Sequence, residues 1–130
     1  MFEPKKLIFL DGAMGTMLQQ AGLQPGELPE LAALTNPDML TAIHRQYIDA
    51  GADIVYANTF GANRRKLQKL GVTVAEVVDA AIAAAQKACD GTFARVALDI
   101  GPLGELLEPL GTLDFASAVD MFAELVRAGV

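Results

Sequence analysis

The chain has 130 residues, of which 52% are hydrophobic, and its formal net charge at pH 7 is −6. This length and hydrophobicity suffice for one domain with a hydrophobic core, and they exclude an intrinsically disordered chain. The acidic balance argues against a surface that binds nucleic acid or an anionic membrane. The single cysteine, Cys89, excludes an internal disulfide and a multi-cysteine metal cluster built from this chain alone.

The first residues, MFEPKKLIFLDG, contain two lysines followed by only four consecutive apolar residues. This apolar run is too short for the hydrophobic region of a signal peptide. No segment approaches the ~20 apolar residues of a membrane-spanning helix. We therefore expect a cytoplasmic protein that does not associate with membranes.

Three apolar segments are each followed by polar residues and glycine, a pattern typical of strands buried on both faces of a parallel sheet. The segments are 6–10, which precedes Asp11, then 53–59, and finally 93–98, which precedes Asp99. Because the carboxyl ends of parallel strands lie at the same edge of a sheet, the pattern predicts a functional site at that edge.

Helical segments separate these predicted strands. They cover 14–21, 37–50, 61–70 (one or two turns only), 74–89 and 115–128, whereas 22–34 is predicted to be irregular because of its Pro and Gly content. Asn36 is a predicted N-cap before Pro37. Thr73 and Glu76 have the spacing of a capping box, and either Thr112 or Asp114 is the predicted cap of the last helix.

The order of elements is βα, βα, βα with connections of well over ten residues, which predicts parallel strands and right-handed crossovers. Three strands alone would leave both sheet edges bare. The last helix ends in the sequence ELVRAGV, which is similar to the YIDAGAD that leads into the second strand. We therefore predict that residues 1–130 are the first three βα units of a (β/α)8 TIM barrel, ending before a fourth strand near Val130. A complete flavodoxin-like domain is the alternative, although that fold usually has five strands.

Three segments carry a resemblance to a known family. They are LDGAMGTML (10–18), NPDMLTAIHRQYIDAGADIVYANTFGAN (36–63) and DIGPLGELLEPLG (99–111). With these segments in this order, the chain resembles the homocysteine S-methyltransferase family, and in particular the homocysteine-binding module of its cobalamin-dependent branch. The resemblance implies a (β/α)8 barrel and an enzyme that transfers a methyl group to the sulfur of homocysteine, giving methionine.

The resemblance also implies cofactors and partner modules. In the family, three cysteine thiolates hold a zinc ion that binds the homocysteine sulfur, and zinc keeps a bound thiol deprotonated. The family's Asn-Cys and Gly-Gly-Cys-Cys motifs do not occur here, so we expect no metal ligand within these residues and no activity from them alone. Methylcobalamin, with methyltetrahydrofolate as the distal donor on other modules, is the implied methyl source. S-methylmethionine and betaine-type donors remain open.

The resemblance implies that this chain contains part of the amino-acid pocket and no catalytic residue. It implies that Asp11, beside Gly12, accepts the substrate ammonium, as a partly buried ammonium needs an anion. It implies that Thr59 helps to hold the substrate carboxylate. Asn58 is an alternative for that role, or a residue that bonds loop amides, and Asp11 has the alternative of an Asx turn ending the strand.

Other residues have weaker or structural interpretations. The backbone N–H groups near Gly12 and Gly15 could form an anion-binding nest. Asp99 either organises its loop or contacts substrate, and His44 is predicted to pack in the helix 37–50. A non-catalytic amino-acid-binding half-barrel, a folding fragment that self-associates through its open edges, and a phosphate-binding α/β enzyme are the competing hypotheses. The last lacks GxGxxG and a Walker lysine.

Overall fold

A computed structural model describes residues 7–130 of the chain. The helices are α1 (Met14–Gln20), α2 (Ala32–Thr35), α3 (Pro37–Asp49), α4 (Arg64–Leu67), α5 (Val74–Cys89) and α6 (Phe115–Ala128), and the strands are β1 (Ile54–Tyr56) and β2 (Arg95–Ala97). Short 3₁₀ turns cover Pro29–Leu31 and Gln68–Leu70. Within this described range, every helix is too short or too polar to cross a lipid bilayer.

The extended segments lie side by side in chain order and run parallel. Strands β1 and β2 pair with Ile54 opposite Arg95 and Tyr56 opposite Ala97. On the other edge of β1, Leu10 forms an isolated parallel bridge to Ile54, and the carbonyl of Phe9 accepts the N–H of Ile54 at 3.2 Å. The prediction of parallel strands is therefore confirmed.

All the strands are shorter than the sequence predicts, and the first and third predicted strand segments are also more exposed. Of the predicted strand 6–10, Lys6 lies outside the described residues, and only Leu10 is bridged. Leu7 and Phe9 are 77% and 59% exposed, and Phe93 before β2 is fully exposed. The prediction of burial on both faces is wrong for the described part of 6–10 and for 93–98, which contain exposed and half-buried residues only. The segment 53–59 is buried or half-buried throughout, with Val55 and Ala57 almost completely buried.

Helix α5 is the centre of the core. Its small side chains, Ala81 and Ala84 among them, pack against Leu40 and Ile43 of α3, and its Val77 and Val78 pack against Leu125 of α6. Alanines let α3 approach α5 closely enough for the Thr41 hydroxyl to donate to the Ala84 carbonyl at 3.2 Å. Helix α3 also contacts β1 and helix α5 contacts β2, so these two helices pack against the strands.

Helix starts follow the predicted caps. Asn36 accepts the Met39 N–H at 3.2 Å, and Thr73 with Glu76 forms the predicted capping box. Asp114, rather than Thr112, caps α6, because the Thr112 hydroxyl bonds to Glu105 instead. These caps fix where α3, α5 and α6 begin.

The segment predicted to be irregular, 22–34, is partly helical. It contains the 3₁₀ turn Pro29–Leu31 and the start of α2. Pro29 suits the first position of a helical turn, and Ala32 and Ala33 are buried against the core that includes Leu18. Burial of these small apolar residues orders a segment that its Pro and Gly content alone would leave irregular.

Candidate functional site

A cavity of about 320 Å³ lies at the carboxyl ends of the parallel segments. Four stretches of chain line it: residues 11–15, the turn at 29–30, the start of the loop after β1, and Asp99 after β2. Among residues 7–130, its lining includes three carboxylates, those of Asp11, Glu30 and Asp99, and no Lys, Arg or His side chain. The cavity is therefore suited to a small ligand with a positively charged group.

Asp11 is fixed at the edge of β1 by two hydrogen bonds. Its N–H donates to the Ile54 carbonyl at 3.0 Å, and its Oδ2 accepts the Tyr56 N–H at 3.0 Å. Burial raises the pKa of the Asp11 carboxyl, the bond from Tyr56 opposes that change, and the negative charge of Asp99 adds to it. The Asp11 carboxylate is thus oriented by the backbone, and none of the described residues that line the cavity supplies a compensating cation.

Helix α3 supports the turn that carries Asp11. The Tyr47 hydroxyl donates to the Ala13 carbonyl at 2.9 Å. A Cβ on Gly12 would lie 3.1 Å from the Tyr47 ring and hydroxyl, so only a glycine lets this ring approach so closely. Gly12 and Gly15 both line the cavity, and the cap residue of α1, Ala13, provides no side-chain acceptor for the following amides.

The 3₁₀ turn is connected to the loop after β1 by two hydrogen bonds. Asn58 Nδ2 donates to the Pro29 carbonyl at 2.8 Å, and Glu30 Oε1 accepts the Gly61 N–H at 2.6 Å. Glu30 is only 4% exposed. The sequence analysis missed Glu30 because it falls in the segment predicted to be irregular. An acid immediately after Pro29, within the apolar stretch LPELAAL, was the available signal.

Thr59 lies behind the cavity wall rather than in the lining. Its side chain is completely buried, and its hydroxyl donates to the Asp99 carbonyl at 2.8 Å and accepts the Asp99 N–H at 3.1 Å. Burial also raises the pKa of the Asp99 carboxyl. The structure therefore brings Asp11, Gly12, Asn58 and Asp99 to one cavity, with Thr59 joining two of its loops.

The residues present do not fit a zinc site. Across residues 7–130, no group of three or more His, Cys, Asp or Glu side chains is arranged to hold a metal ion. Cys89 lies at the end of α5, where burial raises the pKa of its thiol. His44 is buried in α3, and neither ring nitrogen has a hydrogen-bond partner among residues 7–130, in keeping with its predicted packing role.

Parallel strands with helical crossovers and a polar cavity at their carboxyl ends define the class: an α/β protein with a small-molecule site at one edge of its sheet. The model of one family, described as homocysteine S-methyltransferase, matches residues 8–130. The chain belongs to the homocysteine S-methyltransferase family.

Curated relatives with similar sequences include two mycobacterial methionine synthases. The methionine synthase of Mycobacterium tuberculosis is 34% identical over 126 aligned positions, covering 88% of this chain and 11% of that protein. The methionine synthase of Mycobacterium leprae is 48% identical over 63 positions, covering 44% of this chain and 5% of that protein. The chain therefore spans only about a tenth or less of the length of these relatives.

Solved structures of the homocysteine methyltransferase MmuM from Escherichia coli share the fold. The metallated form gives a TM-score of 0.81 at 22% identity, covering 95% of this chain and 50% of that chain. The apo form gives a TM-score of 0.69 at 21% identity, covering 97% of this chain and 46% of that chain. This chain thus matches about half of a homocysteine methyltransferase fold.

Proposed function

We propose that the chain is the N-terminal part of the homocysteine-binding (β/α)8 barrel domain of a methyltransferase that makes methionine, of the cobalamin-dependent methionine synthase type. The observation that carries this proposal is the cavity at the strand ends, which three carboxylates and no cationic side chain line in the part of the chain that the structure describes. Family membership and the similarity to two methionine synthases support the same substrate.

Within this proposal, the α-ammonium group of homocysteine binds to Asp11. Asp11 is partly buried, its orientation is fixed by the Tyr56 N–H, and its charge is unfavourable without a cation. A ligand ammonium would supply that cation and form a charge-assisted hydrogen bond. This interaction would bring the pKa of Asp11 back down.

The substrate carboxylate needs hydrogen-bond donors. The backbone around Gly12 and Gly15 and the side-chain amide of Asn58 border the cavity and are the proposed contacts. Asn58 Nδ2 already donates to the Pro29 carbonyl, so its second N–H is the one available for substrate. Thr59 is proposed to contribute to carboxylate binding indirectly, because its buried hydroxyl joins the loops after β1 and β2.

Zinc and cobalamin chemistry is proposed to depend on parts of the protein outside these residues. Bound zinc would keep the homocysteine thiol deprotonated and nucleophilic, and its cysteine ligands would come from later strands of the barrel. Those strands would also cover the exposed apolar surface that includes Leu7, Phe9 and Phe93. The cobalamin and folate modules are the proposed partners, and the proposed location is the cytoplasm. The 130 residues alone are expected to self-associate through this exposed apolar surface.

A phosphate-binding function is not favoured, because three carboxylates around the cavity would repel a phosphate group.

A test of the proposed function uses the intact gene product, loaded with zinc. The protein is incubated with homocysteine and, in separate reactions, methylcobalamin, S-methylmethionine or betaine, and methionine is measured by mass spectrometry. We expect methionine with methylcobalamin. An absence of methionine with all three donors would contradict the proposal.

A further inference from the structure

Glu30 is a buried acid, and only one of its two carboxylate oxygens accepts a hydrogen bond from a described residue. Its Oε1 accepts the Gly61 N–H, whereas its Oε2 is buried and has no hydrogen-bond partner among the described residues. A buried carboxylate with one hydrogen bond is costly, because most of its hydration is lost without replacement. Stability therefore does not explain why a buried acid lies beside the cavity, whereas a role in ligand binding does.

The loop after β1 is built around this carboxylate. A Cβ on Gly61 would lie 2.7 Å from Glu30 Oε1 and 3.0 Å from Oε2, so any larger residue at this position would displace the acid. The reciprocal bond from Asn58 to the Pro29 carbonyl holds the same two segments together from the other side. Glu30 therefore controls where the loop that carries Asn58 lies relative to the cavity.

The same side chain adds charge to the cavity. Glu30, Asp11 and Asp99 reach it from three different segments, and the charge of Asp99 already raises the pKa of Asp11. Because the described lining residues include no cation, each added carboxylate makes the cavity more favourable for a positively charged group relative to a neutral one.

We propose that Glu30 is a positioning residue that selects amino-acid substrates by their α-ammonium group: it fixes the loop bearing Asn58 and adds a third negative charge to the cavity lining. This inference rests on the proposed function, because it takes homocysteine as the ligand. Glu30 acts through the Gly61 backbone and through its charge, and Asp11 remains the residue that contacts the ammonium.

The test compares Glu30→Gln with the wild-type intact gene product and uses two ligands. Glutamine keeps an oxygen to accept the Gly61 N–H and removes only the charge. Homocysteine is compared with 4-mercaptobutanoate, which has the same carboxylate and thiol but no ammonium. We expect the affinity for homocysteine to fall about fivefold or more, the affinity for 4-mercaptobutanoate to change less than about twofold, and kcat to stay near the wild-type value.

Two further variants separate charge from structure. Glu30→Asp keeps the charge and is expected to retain the preference for homocysteine. If Glu30→Gln did not fold cooperatively, Glu30→Asn would take its place, because asparagine and aspartate have the same shape and differ in charge. Glu27→Gln changes an exposed acid outside the cavity lining, and it is expected to leave both affinities unchanged.

The outcomes distinguish this inference from the proposed function. Equal losses for the two ligands, or no loss for either, would overturn the role of Glu30 while the wild-type protein still binds homocysteine. Failure of the wild-type protein to bind homocysteine would overturn the proposed function, and with it this inference.

Discussion

The Thr59 hydroxyl and the backbone of Asp99 exchange two hydrogen bonds across the ends of neighbouring strands. The hydroxyl donates to the Asp99 carbonyl at 2.8 Å and accepts the Asp99 N–H at 3.1 Å. Beyond the paired residues of β1 and β2, the completely buried Thr59 side chain therefore takes the place of backbone–backbone hydrogen bonds. The position of Asp99 at the cavity depends on this pair of bonds.

Replacing Thr59 with valine should destabilise the protein. Valine has nearly the same shape but leaves the partly buried N–H and carbonyl of Asp99 without these partners, which costs about 1–3 kcal/mol. Urea unfolding measures the free energy, and Thr59→Ser, which keeps the hydroxyl, is the matched control. If valine weakened homocysteine binding without any loss of stability, Thr59 would act directly on the substrate and not through the loops.

Replacing Asp11 with asparagine should weaken homocysteine binding without destabilising the fold. The side-chain oxygen of asparagine can still accept the Tyr56 N–H, whereas the loss of a charge-assisted bond raises KM by about tenfold to hundredfold. Because burial raises the pKa of Asp11, its charged form is disfavoured in the folded state, and the neutral variant should be at least as stable at pH 7.

Steady-state kinetics and thermal unfolding of the intact gene product check both parts of the Asp11 prediction. Asp79→Asn is the control, since Asp79 is exposed on α5 and lies outside the cavity lining. An unchanged KM for Asp11→Asn would remove Asp11 from the substrate site.

Acid should destabilise the fold through His44. Burial lowers the pKa of this residue from 6.5 to about 4, so the unfolded chain binds the proton more readily between these two values. Stability is therefore lost as the pH falls through this window, by about 2 kcal/mol between pH 7 and pH 5.

His44→Leu should abolish this loss, because the chain has one histidine and no described residue forms a hydrogen bond with either of its ring nitrogens. Urea unfolding at the two pH values makes the comparison. The raised pKa values of Asp11 and Asp99 act in the opposite direction, and they act equally in both proteins. The difference between wild type and variant therefore isolates His44, and an identical pH dependence in the two proteins would contradict the prediction.

Gly101→Ala should disrupt the contact between the loops after β1 and β2. The Gly101 N–H donates to the Phe60 carbonyl at 3.1 Å, and an added Cβ would collide with that carbonyl and lie 2.8 Å from the Phe60 ring. Backbone must move, so we expect a loss of about 2–3 kcal/mol. Gly15→Ala is the control: its Cβ meets nothing within 4 Å, and alanine favours helix α1 by up to about 1 kcal/mol. Chemical denaturation of both variants tests the contrast, and equal stabilities would refute it.

Much of the fold could be predicted because the signals are local. The Asn36 cap and the Thr73–Glu76 capping box specify helix starts through bonds within one turn. The parallel direction of the strands follows from the long helical connections between them. The predicted strand lengths were less accurate, because pairing depends on neighbours that a short apolar run does not reveal.

The amino-acid sequence by itself determined the order of helices and strands, the edge of the sheet where polar residues collect, and the position of Asp11 there. Only the tertiary structure decided that Glu30 joins Asp11 at the cavity and that Thr59 faces the Asp99 backbone. Glu30 is held at the cavity by the Gly61 N–H, 31 positions away along the chain, and Thr59 bonds to Asp99, 40 positions away. The partners of Glu30 and Thr59 depend on how α2, α3 and α5 pack together, and no local periodicity or capping pattern predicts that packing.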